Sequence, residues 1–281
     1  VLHWYRILAH HFEVPFILLD APFIYDRAPA HAVAYLQKQI EQAVPQMEAV
    51  AGKSLDMGRL REITTLSRKA SQLWMAALER GKNRPAPLSA FDQFRLMAPI
   101  VEMRGAAKTV DLYADLLQEL DERIENGVAV IAHERKRLLW DNLPIWYKLD
   151  FLAEFLRARG IVLAASTYTA AWGELADMFD PDHPFESAAH TYLHPILNRS
   201  TGDKLRKMLQ VCEDYQLDGV ILHSDRSCKP YSIGQIDQRD RLINTYGIPA
   251  LLLEADHNDQ RSFSQEQITN RLEAFFEMLG V

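Results

Sequence analysis

The chain has 281 residues, 48% of them hydrophobic and 25% charged, with a formal net charge of −7. That length can bury one large core or two smaller ones. The acidic balance, without a basic block or stripe, argues against a nucleic-acid partner, and no apolar stretch reaches the roughly 18 residues of a membrane span. Only two cysteines, Cys212 and Cys228, are present; this is too few for a disulfide framework and fits a reducing cytoplasm.

The first residue is Val rather than Met. Val1 to Ala9 is apolar but broken by His3 and Arg6, with no basic leader, so it does not read as a signal peptide. The chain reads as a fragment or processed piece of something longer. Residues 1–12 have the pattern of a helix end. Val14 to Asp20 is predicted as a strand ending in an acid, and Ala21-Pro22 breaks it. Residues 1–29 are therefore expected to be the remnant of an N-terminal α/β domain. From residue 30 to 126 the pattern is helical, with apolar residues three and four apart over Ala32–Val50 and Met57–Arg80. Ser89 is a candidate N-cap after the loop Lys82–Pro87, and Thr109–Ile124 gives another helix. This is expected to be a helical linker region.

Residues 127–281 alternate strand and helix. Arg137–Leu143, Ile161–Ala165, Gly219–His223 and Ile248–Glu254 are predicted strands. Trp146–Arg159, Asp203–Tyr215, Ser232–Tyr246 and Ser264–Leu279 are predicted helices, the last opening with the capping-box pattern Ser264-Gln-Glu-Gln267. The expected fold is α/β, with a doubly wound, parallel, four-stranded sheet in this C-terminal domain.

In such sheets ligands bind where strands end and loops begin. The third strand runs straight into His223, Ser224, Asp225, Arg226, Ser227, Cys228, Lys229 and Tyr231, a density of polar groups that packing does not explain. Neighbouring cations favour a thiolate, so Arg226 and Lys229 suggest that Cys228 is a nucleophile or a soft-metal ligand. Cys212 sits at core spacing within a helix. Glu254, Asp256, His257 and Asp259 follow the fourth strand; a polar-pocket role for Asp256 and His257 is expected over direct metal binding, with an acidic loop bonding its own backbone as the alternative. Trp140, Trp146, Tyr147 and Tyr168 lie at strand ends and either line an apolar pocket or belong to the core. His190 and His194 are four apart but lack the glutamate of a zinc-protease helix. Glycine-rich dinucleotide and phosphate loops are absent from the sequence.

Asp218-Gly-Val-Ile-Leu-His-Ser-Asp-Arg-Ser-Cys-Lys-Pro-Tyr-Ser-Ile-Gly-Gln235 resembles the benzoyl-CoA reductase and 2-hydroxyacyl-CoA dehydratase family. So do Gly247-Ile-Pro-Ala-Leu-Leu-Leu-Glu-Ala-Asp256, Gln267 to Leu279 and Trp140-Asp-Asn-Leu-Pro-Ile-Trp-Tyr-Lys148. The resemblance covers nearly the whole chain and is most specific at the cysteine segment. It implies a catalytic subunit with two α/β domains joined by helices and a [4Fe–4S] cluster held by three cysteines. Cys228 would be the C-terminal ligand, the other two lying in an N-terminal part outside this chain; Cys212 matches no ligand position. It also implies a homologous second subunit, a separate ATP-hydrolysing iron–sulfur activator, and reduction of an aromatic acyl-CoA through a ketyl-like radical anion, which needs a low-potential one-electron donor. The wording around Cys228 is closer to the benzoyl-CoA reductase branch. By this resemblance His223, Ser227 and Tyr231 would donate hydrogen bonds or protons near the acyl group, and Arg226 and Lys229 would tune the cluster or meet CoA phosphates. The alternatives are a 2-hydroxyacyl-CoA dehydratase subunit, a non-catalytic electron-transfer subunit, and a cysteine-nucleophile enzyme without iron.

Overall fold

The computed structural model describes residues 2–281. In chain order it has helices α1 (Leu2–Phe12), α2 (Ala30–Ala51), α3 (Met57–Glu79), α4 (Ala90–Leu96), α5 (Ala98–Glu102) and α6 (Ala107–Glu125). The alternating part follows: β1 (Lys136–Asp141), α7 (Leu149–Arg157), β2 (Ile161–Ser166), α8 (Thr167–Ala170), α9 (Pro184–Leu193) and α10 (Thr201–Asp214). It ends with β3 (Gly219–Asp225), α11 (Lys229–Ser232), α12 (Gln235–Asn244), β4 (Ala250–Ala255) and α13 (Gln265–Leu279).

The four strands form one sheet in the order β2-β1-β3-β4, and every pairing is parallel. This is the α/β, doubly wound arrangement that the alternating pattern predicts. The strands read as nearly unbroken apolar runs because both sheet faces are covered. Leu138, Trp140, Ile221 and Leu253 point to one face, where they meet Leu152 and Leu156 of α7 and Leu272 and Phe275 of α13. Leu139, Val220 and Leu222 point to the other, against Leu205, Met208 and Cys212 of α10 and Leu242 of α12. Helices α3 to α6 join the first face: Trp74, Phe91, Phe94, Ile100 and Tyr113 share its core. The buried indole of Trp74 donates Nε1–H to the Thr169 carbonyl at 2.9 Å, as an interior polar group must. Helix α2 packs on α9 in a smaller cluster of Ile24, Val33, Leu36, Ala189 and Leu193.

The ends of the elements follow local chemistry. Ser89 caps α4 and forms a full capping box with Asp92. Ser264 accepts from the Gln267 N–H at 3.5 Å, but the reciprocal bond of the box is not made. Arg137 anchors the start of β1 from inside the protein. Its guanidinium, 1% exposed, pairs with Glu134 and donates to the carbonyls of Gly81, Asn83 and Tyr215.

One predicted element is corrected. Val14–Asp20 forms no strand, and Val14, Phe16, Ile17 and Leu18 are exposed. An apolar run becomes a strand only when its backbone finds a ladder partner, and no strand of the described residues lies beside it. The helix predicted to start at Trp146 begins with a short 3₁₀ turn, and its α-helical part starts at Leu149. No helix of the described residues is long and apolar enough to cross a membrane.

Candidate functional site at the strand ends

After β1 the chain moves outward to β2, then returns to the other side of β1 as β3. The crevice between the carboxyl ends of β1 and β3 is thus the switch point at which open α/β sheets bind ligands. Asn142 and Leu143 leave one side of it. Arg226 to Ser232, with Cys228 just before α11, leave the other.

A buried hydrogen-bond network underlies this crevice. The Tyr231 hydroxyl donates to Thr167 Oγ1 at 2.7 Å, and Thr167 donates to Asp141 Oδ1 at 2.7 Å. Gln235 Nε2 donates to the other Asp141 oxygen at 2.8 Å. Burial pushes the Asp141 carboxyl above its usual range, against these donors and the charge of Lys204. Burial, and then the Asp141 charge, raise the Tyr231 phenol well above its ordinary value. Lys204 reaches in from α10 and donates to the Pro230 carbonyl at 2.5 Å; burial lowers its pKa, while Asp141 and Cys228 oppose that shift.

A second cluster lies at the ends of β3 and β4. Asp225 accepts from the Ser227 N–H at 3.1 Å and from His257 Nδ1 at 2.7 Å. Asp256 accepts from the Ser227 hydroxyl at 2.5 Å and from the N–H groups of Asn258 (2.9 Å) and Asp259 (2.8 Å). Burial works against the Asp256 anion, but these donors outweigh it and hold its carboxyl at about 2. Asp225, Asp256 and His257 each offer a ligand atom within 4.8 Å of the others. Those atoms are already matched donor to acceptor, so the trio reads as a clasp across two strand ends. Glu254 and Asp259 stand outside it, paired with Arg226 and Arg261.

Cys228 is a half-buried free thiol. Here the sequence reasoning is corrected. Burial raises its pKa, and the Asp225 charge adds to that. The lowering influences are the Tyr231 backbone N–H and Lys204, not the flanking cations. Arg226 is turned to Glu254 at 2.7 Å, and Lys229 is exposed at the start of α11.

His223 is also corrected as a donor at the crevice. It is fully buried against Trp140, with ring centroids 5.6 Å apart. Its Nδ1–H is committed to the Leu143 carbonyl at 2.6 Å, and Nε2 has no partner among the described residues. Burial lowers its pKa. Trp140, 2% exposed, belongs to the core; it donates Nε1–H to the same carbonyl. Ser227 and Tyr231 lie beside Cys228, but their hydroxyl protons are engaged by Asp256 and Thr167. Asp256 is likewise spent within its clasp, whereas part of the His257 ring remains exposed. Trp146 and Tyr168 continue with Trp172 as an edge-to-face row, at 6.4 and 6.3 Å. Burial raises the Tyr168 phenol and the nearby Cys228 adds to the shift. Tyr147 is turned away, donating to the carbonyls of Asp256 and Asp259.

Residues 1–279 match the family model described as 2-hydroxyglutaryl-CoA dehydratase, D-component. The chain belongs to this family. The alpha subunit of lactoyl-CoA dehydratase from Anaerotignum propionicum is 28% identical over 99% of the chain and 66% of that protein. A benzoyl-CoA reductase subunit from Thauera aromatica is 30% identical over 99% of the chain and 67% of that protein. The alpha subunit of (R)-2-hydroxyglutaryl-CoA dehydratase from Acidaminococcus fermentans is 26% identical over 98% and 57%. The chain thus spans two thirds or less of the length of most of these family members.

Asp141, Asn142, Thr167, Lys204 and Gln235 escape a reading of the sequence for chemistry. Asp141, Asn142 and Thr167 had a signal, since they stand at strand ends in the stretches Trp140–Tyr147 and Ser166–Thr169. Lys204 and Gln235 had none: each is an ordinary polar residue in a helix until the fold turns it inward.

Proposed function

We propose that this chain is a catalytic subunit that reduces an aromatic acyl-CoA of the benzoyl type, with Cys228 supplying one ligand to a [4Fe–4S] cluster. The observation that carries the reading is the half-buried Cys228 at the switch point, next to a fixed hydrogen-bond network and close to Tyr168 in the aromatic row. The donor set fits one iron ligand and no more. The thiol is free and half-buried. Cys212 is packed against the other face of the sheet. The remaining ligands of a cluster, which needs about four, would come from outside these 281 residues. Such a cluster supplies low-potential one-electron transfer when bound.

This chain's own residues would do the rest. Trp146 and Tyr168 offer edges and faces to a planar acyl group. The exposed Lys229 is free to meet a phosphate; Arg226 would do so only by leaving Glu254. Tyr231 and Thr167 hold the floor beneath the sulfur. Electrons would come from a separate ATP-hydrolysing iron–sulfur activator, with a homologous subunit as partner. A second reading, a 2-hydroxyacyl-CoA dehydratase subunit, is favoured by the names of the lactoyl-CoA and 2-hydroxyglutaryl-CoA relatives. It uses the same Cys228 and a net redox-neutral loss of water.

The test is the anaerobic complex with activator, ATP and reductant, offered benzoyl-CoA and a 2-hydroxyacyl-CoA, with products followed by mass. Gain of two hydrogens by benzoyl-CoA is expected. Loss of water from the hydroxyacyl thioester alone would move the chain to the second reading. Cys228→Ala is expected to lose cluster iron, and a variant keeping full iron and activity would refute both readings.

A further inference from the structure

Three loops meet beneath Cys228, and two buried side chains tie them together. Thr167 Oγ1, at the end of β2, donates to Asp141 and accepts from both the Tyr231 hydroxyl (2.7 Å) and the Asn142 N–H (3.2 Å). Asn142, at the end of β1, has φ 83° and is 0% exposed. Asparagine is one of the few non-glycine residues that adopt this left-handed conformation readily. Its Nδ2 donates to the His223 carbonyl at 2.7 Å and to Ser232 Oγ at 3.1 Å, while its Oδ1 accepts from the Leu143 N–H at 2.7 Å. Ser232 in turn donates to the Asp225 carbonyl at 2.8 Å.

The bonds converge on one short element. Helix α11 begins directly after Cys228, and two of its residues are held by this pair, Tyr231 by Thr167 and Ser232 by Asn142. The Cys228 carbonyl accepts from the N–H groups of the same two residues, at 3.2 and 3.0 Å. The sulfur position is thus set by α11, and α11 is set by residues that directly follow two other strands. We propose that Thr167 and Asn142 are positioning residues that hold the Cys228 sulfur at the crevice. The value of that placement for catalysis rests on the reading of Cys228 as an iron ligand.

The test uses the full chain, purified anaerobically with the subunits that accompany it, as Thr167→Val, Thr167→Ser and Ser232→Ala variants. In the iron-free protein, alkylation of Cys228 by iodoacetamide reads how often α11 opens, with the buried Cys212 as internal control. Loss of one buried hydrogen bond multiplies an open population by about tenfold. Thr167→Val is therefore expected to speed Cys228 alkylation about tenfold and leave Cys212 unchanged, and Thr167→Ser to restore the slow rate. Ser232→Ala, at a half-buried position that threatens folding less, should accelerate Cys228 in the same direction. In the iron-loaded protein the electron paramagnetic resonance signature should change in Thr167→Val and return in Thr167→Ser. Wild-type alkylation in both Thr167→Val and Ser232→Ala would overturn the positioning role even if the melting temperature fell. A wild-type protein that takes up no iron, with the alkylation contrast intact, would refute the proposed function and uphold the positioning.

Discussion

Replacing Asp256 by Asn removes the charge from the clasp joining β3 to β4 while preserving its shape. The wild-type carboxyl is 3% exposed, accepts three hydrogen bonds, and is held at about 2 against an ordinary value of 3.8. The folded protein therefore prefers the anion, and the stabilisation is present above the unfolded value and lost as pH falls through 3.8 towards 2. The full difference is worth about 2 kcal/mol. The clasp sits at the rim of the sheet next to the exposed Ser227, and solvent screening reduces the expectation to about 1–2 kcal/mol. Urea unfolding of wild type and Asp256→Asn should show a gap of that size at pH 6, with about half of it left at pH 3. A gap that stayed constant across this range, or no gap at pH 6, would refute the argument that the donors around Asp256 select its charged form.

Cys212, whose thiol burial pushes up to about 12, should resist iodoacetamide in the native protein at pH 8 and react only on unfolding, as peptide mass mapping would show. Arg137→Ala should destabilise by about 3–5 kcal/mol, because it leaves Glu134 and three carbonyls inside without their donor; calorimetry would measure it. Trp74→Ala should cost about 3–5 kcal/mol in the core shared by the helical layer and the sheet. Each variant is expected to melt in one cooperative transition, and separate transitions would show that the helical layer and the sheet unfold independently.

The sheet was legible because each strand is a run of apolar residues followed by polar ones, and because helices with capping signals separate them. The same signal misled at Val14–Asp20: composition reports that a segment could pair, and pairing also needs a neighbour. At the site, Ser227, Cys228 and Tyr231 were legible since they stand together in one loop. The pairing of Asp141 with Thr167 and Gln235 was not, for these bonds link residues 26 and 94 positions apart. Arg226 shows the converse. Two positions from Cys228 in sequence, it extends along the edge to Glu254 of β4, and the cation that acts on the thiol is Lys204 from a different helix.

The sheet order also fixes a timetable for synthesis. Strand β1 is central yet made first, and its two neighbours pair with it only after Ser166 and Leu222 have been added. Until then Leu138, Leu139 and Trp140 have no sheet to enter, and parallel pairing across so long an interval is intrinsically slow and prone to aggregation. Translation speed and chaperone supply between residues 141 and 225 should therefore influence the yield of folded protein.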